Sequence, residues 1–195
     1  EQKKAAYVGE FAAQFLLDYP SSAIKSPADT RPVTDLMAIL EATRPEVVYT
    51  HNLADKHPTH VAVAMRVLEA ARRVSKEARP TRLYGCEVWR NLDWMRDQDK
   101  VVFDCTAHES LQMALLGVFD SQICGGKRYD LATMGRRKAN ATYFESHGVD
   151  QAQLLAYAMD LTPLVADPKR DVIGYVQEQI DRFGEDVKKT IGGVA

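Results

Sequence analysis

Apolar residues along the chain switch between helical and strand-like spacing. Residues 1 to about 17 carry Ala5, Val8, Ala12, Phe15 and Leu16 at helical intervals, so the spacing predicts a helix under way from the first residue. Residues 18–32 hold three prolines and three serines without a period, which predicts a loop long enough to line a site. Pro32 then fits the first turn of a helix striped by Val33, Leu36, Met37 and Leu40 and ending before Pro45. Val47-Val48-Tyr49-Thr50 reads as a buried strand. A helix from 58 to about 76 follows, with Ala64, Val67, Leu68 and Ala71 on one face and Pro80 beyond its end. Strands are expected at 82–86 and 101–103, and helices over 109–119, 129–147 and 171–189. The last has the clearest stripe, Val172, Val176, Ile180, Phe183 and Val187. Strands alternating with helices of this length define an α/β chain, a Rossmann-like, mostly parallel sheet with helices on both faces.

Composition narrows the function classes. At 195 residues, 46% hydrophobic and 27% charged, the chain suits one globular domain and neither a disordered nor a collagen-like segment. Twenty-five basic and 27 acidic residues give a net charge of -2 with no one-signed tail, which argues against nucleic acid or a membrane surface as partner. Small ligands fit better. The longest apolar stretches, such as 113–119, are far below a bilayer span, and no signal peptide opens the sequence. Cys86, Cys105 and Cys124 lack CxxC spacing, which favours reduced thiols and a cytoplasmic setting. Because Glu1 stands where a Met is expected and lies in a helical pattern, the chain is expected to be part of a longer one.

The chemistry concentrates in residues 50–60, Thr-His-Asn-Leu-Ala-Asp-Lys-His-Pro-Thr-His, which hold three of the five histidines. They follow an expected parallel strand and precede a helix, the end of an open α/β sheet at which ligands bind. If Pro58 opens the helix, His57 flanks it and His60 lies in the first turn, facing the sheet. Two such imidazoles suit joint ligation of a divalent metal, or one ligand beside a residue that steadies an oxyanion or protonates a leaving amine. A carboxylate such as Asp55 can fix an imidazole tautomer from behind. Simpler roles exist: His51 as a strand-end residue bonded to backbone, Asp55 as a turn former, His108 as a helix cap and His147 as a helix end. After the second strand, Glu87, Trp89 and Arg90 could line the same crevice; alternatively Trp89 and Trp94 pack and Glu87 pairs with Arg90. Gly125-Gly126-Lys127-Arg128 could hold a phosphate or merely join two helices. Arg136-Arg137-Lys138 reads as a solvated helix face.

His57-Pro58-Thr59-His60 after a strand resembles the second motif, His-Pro-Asp-His, of the PIG-L/LmbE-like metal-dependent de-N-acetylases. The resemblance continues in 44–51, in Val101 to Asp104 and in Asp120-Ser121-Gln122, covering most of the chain to about Tyr143. Gly126-Lys127-Arg128-Tyr129-Asp130-Leu131-Ala132 and Met159-Asp160-Leu161-Thr162-Pro163-Leu164 resemble the subgroup fused behind a glucosamine-6-phosphate deaminase-like domain. Three departures stand out. Thr59 replaces the motif's Asp, and the family's first motif, Ala-His-Pro-Asp-Asp, is absent because no His precedes His51. No family lysine is evident before Ser121-Gln122 either.

The resemblance implies a single domain over 1–195 that lacks its first strand and ends in a helical extension from about 150. It implies hydrolysis of the acetamide of an N-acetylglucosamine-type sugar, free or phosphorylated, with Zn²⁺ or another divalent metal. His60 would be a metal ligand, His57 and Asp55 catalytic, and Asn52, Glu87, Arg90 and Arg128 would meet the sugar. With one ligand in hand, the chain alone is expected to bind zinc weakly. A non-catalytic sugar-binding or regulatory domain of the same fold is the alternative. Partners compatible with the sequence are the amino sugar, a fused sugar-phosphate deaminase-like domain and a further copy of the chain, but neither nucleic acid nor membrane.

Overall fold

The computed structural model describes residues 1–194, which divide into two compact units. One comprises Leu17–Val101 and the chain from Tyr157 onward, the other Glu1–Leu16 and Val102–Ala156. In the first unit lie helices α2 (Ser21–Lys25), α3 (Arg31–Thr43) and α4 (Pro58–Arg73), strands β1 (Val47–His51) and β2 (Arg82–Cys86), and the later helices α8 (Thr162–Ala166) and α9 (Val172–Gly192). The second unit holds α1 (Gln2–Val8), α5 (Glu109–Gly117), α6 (Asp120–Ile123) and α7 (Tyr129–Tyr143). Strands β3 (Lys100–Asp104) and β4 (Leu155–Asp160) complete a four-stranded sheet in the order β1-β2-β4-β3. Helices pack around it, and the fold is a Rossmann-like α/β one.

β1 and β2 run parallel with His51 opposite Cys86, and α4 is the crossover between them. That helix forms where the sequence predicts it. Pro58 supplies a helical φ at the first position, where no backbone N–H is needed. Its inner stripe, Ala64, Leu68 and Ala71, is at most 1% exposed, as are Val33, Leu83, Leu161 and Leu164 of the same unit, and α4 packs on α3, β1 and α8. In the second unit, α7 packs on α5 and α6, and Asn140 Nδ2 donates to Leu155 O at 3.1 Å.

Three elements differ from expectation. The opening helix stops at Val8 instead of reaching about 17, because Gly9 caps it and Glu10 takes a left-handed φ of 52°. Phe15 and Leu16, which complete the apparent stripe, are more than half exposed. Within the expected loop 18–32, Pro20 starts α2, whose closing carbonyls at Ile24 and Ser26 accept from the Arg66 guanidinium. β4 has no counterpart among the expected elements and lies in the stretch read as a helical extension. It runs antiparallel to β2, with Gly85 opposite Met159, and its Leu-Ala-Tyr-Ala-Met-Asp sequence contains no β-branched residue.

Gly85 sits where β2 passes closest to the loop after β1. A Cβ there would lie 2.9 Å from Asn52 Cα and 3.1 Å from His51 O, both backbone atoms that cannot swing aside. Gly85→Ala is therefore expected to cost about 2 kcal/mol, read as a lowered urea midpoint at unchanged slope.

Candidate metal centre

The site lies within the first unit, at the carboxyl end of β1. Asn52 builds the loop that follows. Its N–H and its Nδ2 both donate to Cys86 O, at 3.2 and 3.1 Å, while its Oδ1 accepts from Ala54 N–H at 3.0 Å. Asn52 is wholly buried, so the residue expected to meet a sugar instead fastens the β1 loop to the end of β2.

The turn so made carries Asp55 inward. Its side chain has no exposed surface. Oδ1 accepts from His57 N–H at 2.8 Å, Oδ2 accepts from Trp89 N–H at 3.3 Å, and Oδ2 also stands 3.4 Å from His60 Nδ1. Burial pushes the carboxyl pKa up, but the donors from His57, His60 and Trp89 outweigh it, so the net shift is downward. Asp55 is thus an anion at neutral pH, close to the N-terminus of α4, where a negative charge is favoured.

His57 caps α4 in an extended conformation and His60 occupies its first turn, as the position of Pro58 predicts. The His60 ring lies flat on His51, centroids 4.0 Å apart at 7°, and at 4.6 Å from the exposed His57. His57 in turn stands 6.3 Å from the Trp89 ring, over which Lys56 Nζ lies at 5.7 Å. Burial lowers the pKa of His51, and a neighbouring His60 charge lowers it further. His51 is therefore neutral near pH 7, with a ring lone pair available.

His51, Asp55 and His60 each offer one ligand atom within 4.8 Å of the others. Two imidazoles and a carboxylate form a donor set used for divalent transition metals. Donors on one tetrahedral zinc stand about 3.3 Å apart, given bonds of about 2.0–2.1 Å. The set fits such an ion once the two rings turn out of their parallel stack, because ring lone pairs lie in the ring planes. Asp55 can serve in either of two ways. Oδ2 can be the third ligand, or it can hold His60 Nδ1 so that Nε2 is the ligating atom.

In the sequence His51 belongs to the histidine-rich segment, with strand-end bonding to backbone as its alternative role, and only His60 is expected as a ligand; the fold adds His51 to the candidate ligand set. The available signal is its register, one residue past the β-branched run of a parallel strand that ends at the ligand-binding edge. The other expected sugar residues are placed as follows. Glu87 accepts from Tyr157 N–H at 3.1 Å through Oε1, so it joins the end of β2 to β4. Arg90 is exposed in the loop after β2, one residue beyond Trp89. Arg128 belongs to the second unit, where its guanidinium makes a two-point bond to Asp130 at 2.7 and 3.0 Å. That unit also has a polar cavity of about 560 Å³ lined by Asp104, Thr106, Lys138 and Asp150 among others, and no histidine lines it.

No family model and no curated protein matches the chain. Among solved structures, the fold is similar to that of GalB, the 4-carboxy-2-hydroxymuconate hydratase from Pseudomonas putida KT2440. The TM-score is 0.56 at 17% identity, over 80% of this chain and 68% of that one. The likeness shows that the fold is one an enzyme uses. No helix among the described residues is long and apolar enough to cross a membrane.

Proposed function

We propose that the chain carries part of a divalent-metal hydrolase site acting on the acetamide of an N-acetylglucosamine-type sugar. The observation that carries this reading is the convergence of His51, Asp55 and His60 at the carboxyl end of a parallel strand, on a segment that resembles the de-N-acetylase second motif. A metal held there supplies a Lewis acid and brings the pKa of water toward about 7.

The remaining work falls to side chains of this chain. His57, exposed at the helix cap, has a ring positioned to steady a developing oxyanion or hand a proton to the departing amine. Asp55 fixes the His57 backbone and the His60 ring together, so the two imidazoles keep one spacing. Trp89 offers an aromatic face with Lys56 beside it, a surface suited to a sugar ring and its phosphate. Thr59 and the missing Ala-His-Pro-Asp-Asp motif favour the second reading, a sugar-binding domain of the same fold.

Acetate release from N-acetylglucosamine and its 6-phosphate, measured with zinc-loaded protein, tests the proposal. Turnover that falls at least about 100-fold in His57→Ala while zinc stays bound is the expected result. Sugar binding without acetate release would establish the second reading, and hydration of 4-carboxy-2-hydroxymuconate in its place would move the site to the chemistry named for GalB.

A further inference from the structure

The apolar stripe of α9 includes positions that the fold does not bury. Tyr175 and Gln179 face the core of their unit and are 6% and 5% exposed. Roughly 140° round the helix from them runs a second line, Ile173, Gln177, Ile180, Gly184, Val187 and Ile191, at alternating spacings of four and three, with Val194 just beyond the helix end. This is the spacing of a coiled-coil seam. Ile173 is 81% exposed, Ile191 59% and Val194 87%, and Ile180 and Val187 are also exposed. Every described residue from Glu185 onward is exposed, so the last third of α9 has no cover from the described residues. Gly184, at the centre of the line, leaves open space where a Cβ would stand, so another backbone can come close.

We propose that a second copy of this chain covers the seam, α9 pairing antiparallel with α9 across a two-fold axis. The charge pattern selects that occupant and that direction. Asp181 and Lys188 flank the seam on its solvent side, one heptad apart and opposite in sign, and the other flank is Val176, Phe183 and Thr190. Antiparallel pairing sets Asp181 against Lys188 of the partner subunit twice over, a self-complementary edge that a two-fold interface needs. Ile180 then layers on Ile191 of the partner subunit and Gly184 on Val187 of the partner subunit. Sliding by one heptad would bring the two Asp181 carboxylates together, so charge also fixes the register. Parallel pairing would form no such ion pair.

Sedimentation equilibrium of the 195-residue chain at tens of micromolar is the test, and a dimer is expected. Ile191→Glu lies where no core depends on the helix, so folding should persist by circular dichroism while the dimer dissociation constant rises at least about 100-fold. Asp181→Lys should weaken the dimer about 10-fold, and adding Lys188→Asp should restore it. A monomeric wild type, or a dimer insensitive to Ile191→Glu, would overturn the seam. An Asp181→Lys defect that the second change fails to repair would overturn the antiparallel arrangement.

Discussion

Replacing His60 with alanine should weaken zinc binding at least 100-fold, roughly what loss of an inner ligand brings when second-sphere changes alone cost about 10–100-fold. The magnitude follows from the position of the ring. His60 is the member of the cluster that touches both others, stacked on His51 at 4.0 Å and 3.4 Å from Asp55 Oδ2. Its removal leaves two donors that no third group links. His51→Ala should cause a similar loss. His57→Ala should retain the ion, since His57 is the exposed histidine of the stack and lies outside the three-residue set. Competition with a chromophoric chelator reads all three variants on one scale. Undiminished zinc stoichiometry in both His51→Ala and His60→Ala would remove the centre as assigned.

Asp55→Ala should be the most destabilising change in the site, by about 3–5 kcal/mol. The carboxylate is fully enclosed and accepts from two backbone N–H groups, at His57 and Trp89, which an alanine would leave without an acceptor. Those groups belong to the start of α4 and the loop after β2, so both segments should loosen together. Asp55→Asn keeps the shape and one acceptor, and about half the loss is expected.

The pH dependence separates the charge from the shape. Because the folded pKa lies below the unfolded value of about 3.9, the carboxylate stabilises the fold above that value, and the gain disappears as pH falls through the folded pKa. Urea titrations between neutral pH and about pH 3 should therefore show a steeper decline in the wild type than in Asp55→Asn, which keeps only the share of the other carboxylates with lowered pKa values, such as Asp29 and Asp130. Equal decline in both would mean that other carboxylates carry the acid sensitivity. If Asp55→Asn also binds zinc within about 10-fold of wild type, the carboxylate orients His60; a greater loss makes it a ligand.

The place of the histidine cluster is legible in the sequence because the signals that set it are local. Pro58 at the first helical position places His57 at the cap and His60 one turn in, whatever the rest of the chain does. The apolar run at 47–50 ends at His51, and the crossover helix follows from the 3.6 period through Ala64, Leu68 and Ala71. The same period misled at the N-terminus, where a stripe from Ala5 to Leu16 has no core to face beyond Gly9.

The sequence by itself determined a parallel β-α-β unit with histidines at the carboxyl end of its first strand, since proline position and hydrophobic period act over a few residues. Only the tertiary structure decided which side chains meet. His51 reaches His60 because β1 ends beside the first turn of α4. Asp55 is buried because Asn52 ties its loop to Cys86, 34 residues away. β4 is a strand because β2 offers its edge to a segment with little β propensity of its own. These pairings depend on separations through space, which residue order leaves open until the sheet has formed.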